Sequence, residues 1–151
     1  MIRSNMSNDM INIRLRQLGA VSIKTSPAHI NIAKFEIAED LRISYMYEVK
    51  EEEIYLQRIN PYPLMIGKIY NEQQVVNIIE MDLKKFRSAY QSSCFPQFVK
   101  LTSGVVTFNK EIENLFMMHN VPAEKLDKLE EQIEKLHEMI LETAKESPLL
   151  D

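Results

Sequence analysis

The chain has 151 residues, 45% of them hydrophobic, which suits one domain with a real core and is short for two. A formal charge of −4 and a pI near 5.5 leave no general basic field of the kind that nucleic acid or an anionic membrane surface selects. The single cysteine excludes an intrachain disulfide and suits a reducing compartment, so a cytoplasmic protein is expected. No stretch approaches the roughly 20 apolar residues of a membrane span, and the N-terminus lacks the apolar core of an export signal.

Residues 1–10 are polar and aperiodic and read as a disordered N-terminal arm. From there "INIRLRQLGAVSIKT" alternates apolar and polar side chains at Ile11, Ile13 and Leu15, then at Val21 and Ile23, which reads as a strand bent at Gly19. Ile30, Ile32, Phe35 and Ile37 suggest a second strand. Leu41, Ile43, Tyr45, Tyr47 and Val49 share one face at strict period two, the clearest strand in the chain. The acidic residues 50–53 turn the chain into Ile54, Leu56 and Ile59, and Pro61 and Pro63, which cannot donate to a ladder, end that strand.

Helical spacing begins after Asn71, a capping residue at the head of "NEQQ". Val75, Ile79, Leu83, Phe86 and Tyr90 form one apolar stripe that should lie on the sheet. Phe95-Pro96 reads as a corner that ends this run, and "QFVKLTSGVV" as an apolar connection. Gly104 allows a second turn before a shorter helix with Phe108, Ile112, Leu115 and Phe116. Pro122 suits the first position of a last helix over 121–146, ahead of a tail at 147–151. There Leu126, Leu129, Ile133, Leu136 and Ile140 recur at three-four-three-four, a heptad seam. Glu124 with Lys128 and Glu131 with Lys135 support that helix at i,i+4. This seam either docks on its own domain or pairs with another copy or partner. The fold class is α+β: an antiparallel sheet of about four strands, then two or three helices, in one domain over 11–120, with the C-terminal heptad helix appended.

No catalytic constellation can be written. Glu134 and His137 make one Glu-x-x-His, but di-iron bundles need that motif twice, so no metal is expected. Cys94 at a helix end faces the unfavourable pole of the dipole and reads as a buried or half-buried structural thiol rather than a nucleophile. Glycines at 19, 67 and 104 are too scattered for a phosphate loop, so no nucleotide cofactor is expected. Glu51, Glu52 and Glu53 lack the alternating ligands and bend glycine of a calcium loop. Met117 and Met118 read as core filling.

"CFPQFVKL…VTFNKEIENLFM" resembles the closing part of SecB-type export chaperones, where a helix leads to a Phe-Pro-Gln corner, a crossing loop and a closing helix. "RLRQLGAVSIKTSPA" is similar to that family's first strand and the turn after it. The glycine-rich hairpin of the family is missing, and the heptad helix has no counterpart in it. The resemblance implies a tetrameric holdase that binds non-native chains in long apolar grooves without ATP. It also implies groove-wall roles for Phe95, Pro96 and Phe108, to which Phe98, Tyr45 and Tyr47 are added as candidate apolar contacts.

The expectation is a non-enzymatic, homo-oligomeric protein-binding module, with no cofactor, no nucleic acid and no membrane insertion. The alternative is a small regulatory or interaction protein, such as a mobile element carries, acting through Leu126, Leu129, Ile133, Leu136 and Ile140.

Overall fold

The computed structural model describes residues 2–149, with side chains from residue 7 onward. Four helices and a four-stranded antiparallel sheet follow in the order α1 (Ile2–Gln17), β1 (His29–Ala38), β2 (Leu41–Val49), β3 (Ile54–Asn60), β4 (Leu64–Ile69), α2 (Glu72–Tyr90), α3 (Phe95–Met118) and α4 (Ala123–Glu146). The sheet is a simple meander, β1-β2-β3-β4. The α+β class and the four-strand sheet agree with the sequence reading.

The membership of the sheet does not. The bent strand expected over residues 11–23 and the disordered arm expected over 1–10 are, from Ile2 to Gln17, helix α1; Met1 lies outside the described residues. Gly19 is the reason. With φ +99 it sits just past the helix end, where its N–H bonds Arg16 O and the Ala20 N–H bonds Leu15 O, the paired pattern of a Schellman cap. Arg14 and Arg16 in the last turn favour the negative pole of the helix. The fourth strand is β4, beyond the two prolines that end β3.

Strand pairing keeps Ile43 opposite Phe35, Tyr47 opposite Leu56 and Leu56 opposite Gly67. The β3–β4 register slips next to Gly67, whose φ of +117 suits a bulge that most side chains would strain. On the inner face Leu41, Ile43 and Tyr45 of β2, Ile54 and Leu56 of β3 and Ile69 of β4 are buried. The period-two face of β2 opens at its end, where Tyr47 is half-buried and Val49 exposed. On β3 the inner face continues from Leu56 to Arg58, whereas Ile59 turns to the other side.

Helix α2 covers that face as its stripe requires, packing on β3 and β4 with Val75, Leu83 and Phe86 buried. Asn71 caps it, its side-chain oxygen accepting from the N–H groups of Gln73 and Gln74. One ion pair fixes where it lies. Arg58 Nη1 donates to Asp82 Oδ2 at 2.7 Å, and the Tyr45 hydroxyl donates to the same oxygen at 2.7 Å. Burial, and then the hydrogen bond to the Asp82 carboxylate, pushes the Tyr45 hydroxyl well above the ordinary tyrosine pKa.

The corner at Phe95-Pro96 and the crossing connection are not present. Residues 95–118 form one continuous helix, with Pro96 in its first turn, where its missing N–H costs nothing. Gly104 is an interior helical residue, and Thr102 and Thr107 satisfy their hydroxyls on carbonyls of the preceding turn. Pro122 is the residue before α4 rather than its first, a shift of one position.

Two outcomes test this arrangement. Asp82→Ala strands a buried guanidinium and should cost about 3–5 kcal/mol in urea denaturation. Because the folded state raises the Tyr45 pKa, the contribution of that hydroxyl is complete below about pH 10 and declines as pH rises past it. Tyr45→Phe should therefore flatten the fall in stability above that pH. Separately, an alanine Cβ at Gly104 meets nothing within 4 Å, so Gly104→Ala should slow amide exchange along α3 by up to about 1 kcal/mol in local opening energy.

Candidate functional site

Helix α3 is rooted in the core by its first residue. Phe95 is buried, with ring centroids 6.4 Å from Phe86, 5.5 Å from Tyr90 and 5.9 Å from Phe98. Phe98 in turn meets Tyr62 edge-on at 5.8 Å. The Arg58 guanidinium lies 4.5 Å from the Tyr62 ring centre and 4.9 Å from that of Phe86. Tyr90 is held from the other side by donating its hydroxyl to Asp40, a bond that raises its pKa. An open cleft of about 470 Å³ runs beside this junction, lined by Leu41, Pro61, Tyr90, Phe95, Pro96 and Val99 together with Asp40, Ser92 and Ser93.

Beyond its second turn α3 leaves the domain. Every residue from 103 to 118 is exposed except Ile112, which is half-buried. Phe98, Leu101, Val105, Phe108, Ile112 and Leu115 recur at three-four-three-four-three, a stripe of about 25 Å along the helix. Phe98 is 38% exposed and Phe108 43%, and Phe116, Met117 and Met118 add apolar surface at the far end. The positions bordering the stripe hold Gln97, Thr102, Gly104, Asn109, Phe116 and Met118, with Glu111 the one charged residue among them. This face offers apolar contact with little to restrict which partner takes it.

Helix α4 differs. Leu126 and Leu129 are half-buried near the elbow with α3, whereas Ile133, Leu136 and Ile140 are exposed, and no residue of α4 is buried. The elbow itself encloses an open apolar cleft of about 580 Å³ lined by Leu115, His119, Val121, Pro122 and Leu129 among others. Among the described residues the seam does not dock on its own domain beyond the elbow, so that one of the two expected outcomes is not seen.

The candidate contacts therefore separate. Phe95, Pro96 and Phe98 come together at the α2–α3 junction, and Phe108 lies about 15 Å further along the same helix. Tyr45 is fully enclosed and is a core residue, because β2 turns it toward α2 and Asp82. Tyr47 is half-buried at the end of the same face. Met117 and Met118 are surface rather than core. Cys94 is exposed at the start of α3, not buried at the end of a helix, since α2 stops four residues earlier. Glu134 and His137 are both exposed on α4, and among the described residues no three potential metal ligands cluster. Among those residues, too, no helix is long and apolar enough to cross a membrane.

Sequence reasoning missed the Arg58–Asp82 pair and most of the α3 stripe. The first had one signal, a lone arginine in step with Ile54 and Leu56 on the inward face of a strand. The second was spelled out by its spacing and was hidden by treating Pro96 and Gly104 as breaks. In comparisons with known proteins, no family model, no curated protein and no solved structure matches the chain.

The site makes a contrast that can be measured. Phe86→Ala removes a buried ring and should cost about 3–5 kcal/mol of folding stability. Phe108→Ser, on the open part of α3, should change stability by less than about 0.5 kcal/mol while lowering the fluorescence of a bound apolar dye.

Proposed function

We propose that the protein binds non-native polypeptide, without catalysis and without nucleotide, through the apolar face of α3 and the cleft at its root. One observation carries this reading: a continuous apolar stripe lies open along a helix that is anchored at only one end. Contiguous exposed apolar surface marks interaction sites. A border almost free of charge, with Met117 and Met118 at its end, suits varied rather than unique partners. The residue pattern around Phe95, Pro96 and Phe108 that resembles SecB-type holdases points the same way, although here it forms one continuous helix rather than a corner and crossing loop. In this reading Phe95 is the anchor, Pro96 lies on the cleft wall and Phe98 and Phe108 lie on the contact face. In this reading the protein acts as a cytoplasmic homo-oligomer, consistent with its single cysteine and its lack of a basic field.

A second reading rests on α4, whose seam is bordered by Lys125, Glu130 and Glu146 as well as by uncharged residues, where the α3 stripe has Glu111 alone. Here the protein is a small regulatory or interaction factor that oligomerises or binds one specific partner through that helix.

The deciding experiment is fluorescence anisotropy of a labelled, slow-folding unfolded chain titrated with the full-length protein, with no nucleotide present. Micromolar or tighter binding that survives moderate salt, weakened at least tenfold by Leu101→Ser with Phe108→Ser, is the outcome expected of the first reading. No binding at tens of micromolar removes it and leaves the second.

A further inference from the structure

The open seam of α4 carries more information than its hydrophobicity. With Leu126 at position a of a heptad, Ile133 and Ile140 are also a, while Leu129 and Leu136 are d. Ile133 is 46% exposed, Leu136 50% and Ile140 58%, so this chain leaves the C-terminal part of the seam uncovered, with Leu126 and Leu129 half-buried near the elbow. Ile at a with Leu at d is the combination that favours two parallel strands, because each β-branched side chain packs well in the a layer and each leucine in the d layer. The flanks give the register. Lys125 falls at g and Glu130 at e, five residues on, which is the offset at which a g side chain of one helix meets an e side chain of its parallel partner. A two-fold pair makes this contact twice. The solvent-facing side is tied within the helix by Glu124 with Lys128 and Glu131 with Lys135, which leaves Lys125 and Glu130 free of those pairs.

We propose that α4 pairs with the α4 of a second copy of this chain as a parallel, in-register, two-stranded coiled coil. The pairing covers Ile133, Leu136 and Ile140 and sets Lys125 of each copy against Glu130 of the other. A reversed pair would also find an opposite charge for Lys125, at Glu146, but would stack Ile133 on Leu136 and give up the matched a and d layers that favour the parallel pair. The proposal is independent of client binding: it concerns α4, and the apolar stripe of α3 stays open.

The test is disulfide trapping in full-length protein with Cys94→Ser as background. Leu126→Cys and Thr143→Cys place a thiol at an a position near one end of the seam and a d position near the other. Parallel, in-register pairing brings each within the 4.4–6.8 Å Cα separation that a disulfide needs. Each variant alone should therefore convert to covalent dimer on mild oxidation, while Glu138→Cys on the outer face should not. Lys125→Glu should raise the dimer dissociation constant about tenfold, and adding Glu130→Lys should restore it. Trapping no better than the Glu138→Cys control overturns the proposal. So does trapping only when the Leu126→Cys and Thr143→Cys chains are mixed, which marks a reversed pair. Client anisotropy on the same variants keeps the two readings apart: intact trapping without client binding removes the holdase reading alone.

Discussion

Arg58 and Asp82 join the middle of the sheet to the helix that covers it, and the position of everything after β4 follows from that join. Arg58 is almost wholly enclosed, its Nε has no hydrogen-bond partner among the described residues, and its planar face lies against Tyr62 and Phe86. A buried guanidinium is tolerable only while its carboxylate stays in place, so α2 cannot slide along β3 without stranding a charge. Tyr45 donates to the same carboxylate oxygen, tying β2 into the arrangement as well. The pair adds position more than strength: the apolar contacts of Ile43, Leu56, Leu83 and Phe86 supply the cohesion, and the ion pair selects one placement among those they would allow.

From this fixed α2 the rest of the chain extends outward. Phe95 is the last side chain of the core, and beyond the second turn of α3 the helices keep their shape with little help from the domain. Isolated helices in water are marginal even at good propensity, because most helical stability in proteins comes from packing one face. Both α3 and α4 have such a face, and in the single chain neither is covered. Surface of this kind is at its most stable when something occupies it. The two faces invite different occupants, since Glu111 is the one charge bordering the α3 stripe whereas Lys125, Glu130 and Glu146 border the α4 seam.

The sequence was most legible where local pattern and tertiary demand agreed. Leu41 and Ile43 on β2, the stripe from Val75 to Phe86 and the cap at Asn71 all carried the period of their element and found the predicted burial or bond. It misled where one residue type serves two structures. Gly19 fits a strand bulge or a helix cap, and the basic residues before it decide for the cap only once the carbonyls they face are known. Pro96 fits a corner or a first helical turn, and Gly104 a turn or a helix interior; in both cases the helix wins because the three-four spacing continues on either side. That spacing in fact runs from Phe98 to Ile140 without slipping, through His119 and Pro122, where the backbone is extended and the helix is cut in two.

By itself the sequence determined the α+β class, the clearest strand, the covering helix and the heptad seam, because each is written in a periodicity of nearest neighbours along the chain. Only the tertiary structure decided that Tyr45 belongs to the core, that Arg58 meets Asp82 across 24 residues, and that the α3 and α4 stripes lie open while the α2 stripe is buried. The physical reason is that a periodic apolar face states a need to be covered without naming what covers it. Coverage depends on contacts between residues far apart in sequence, and those exist only once the chain has folded.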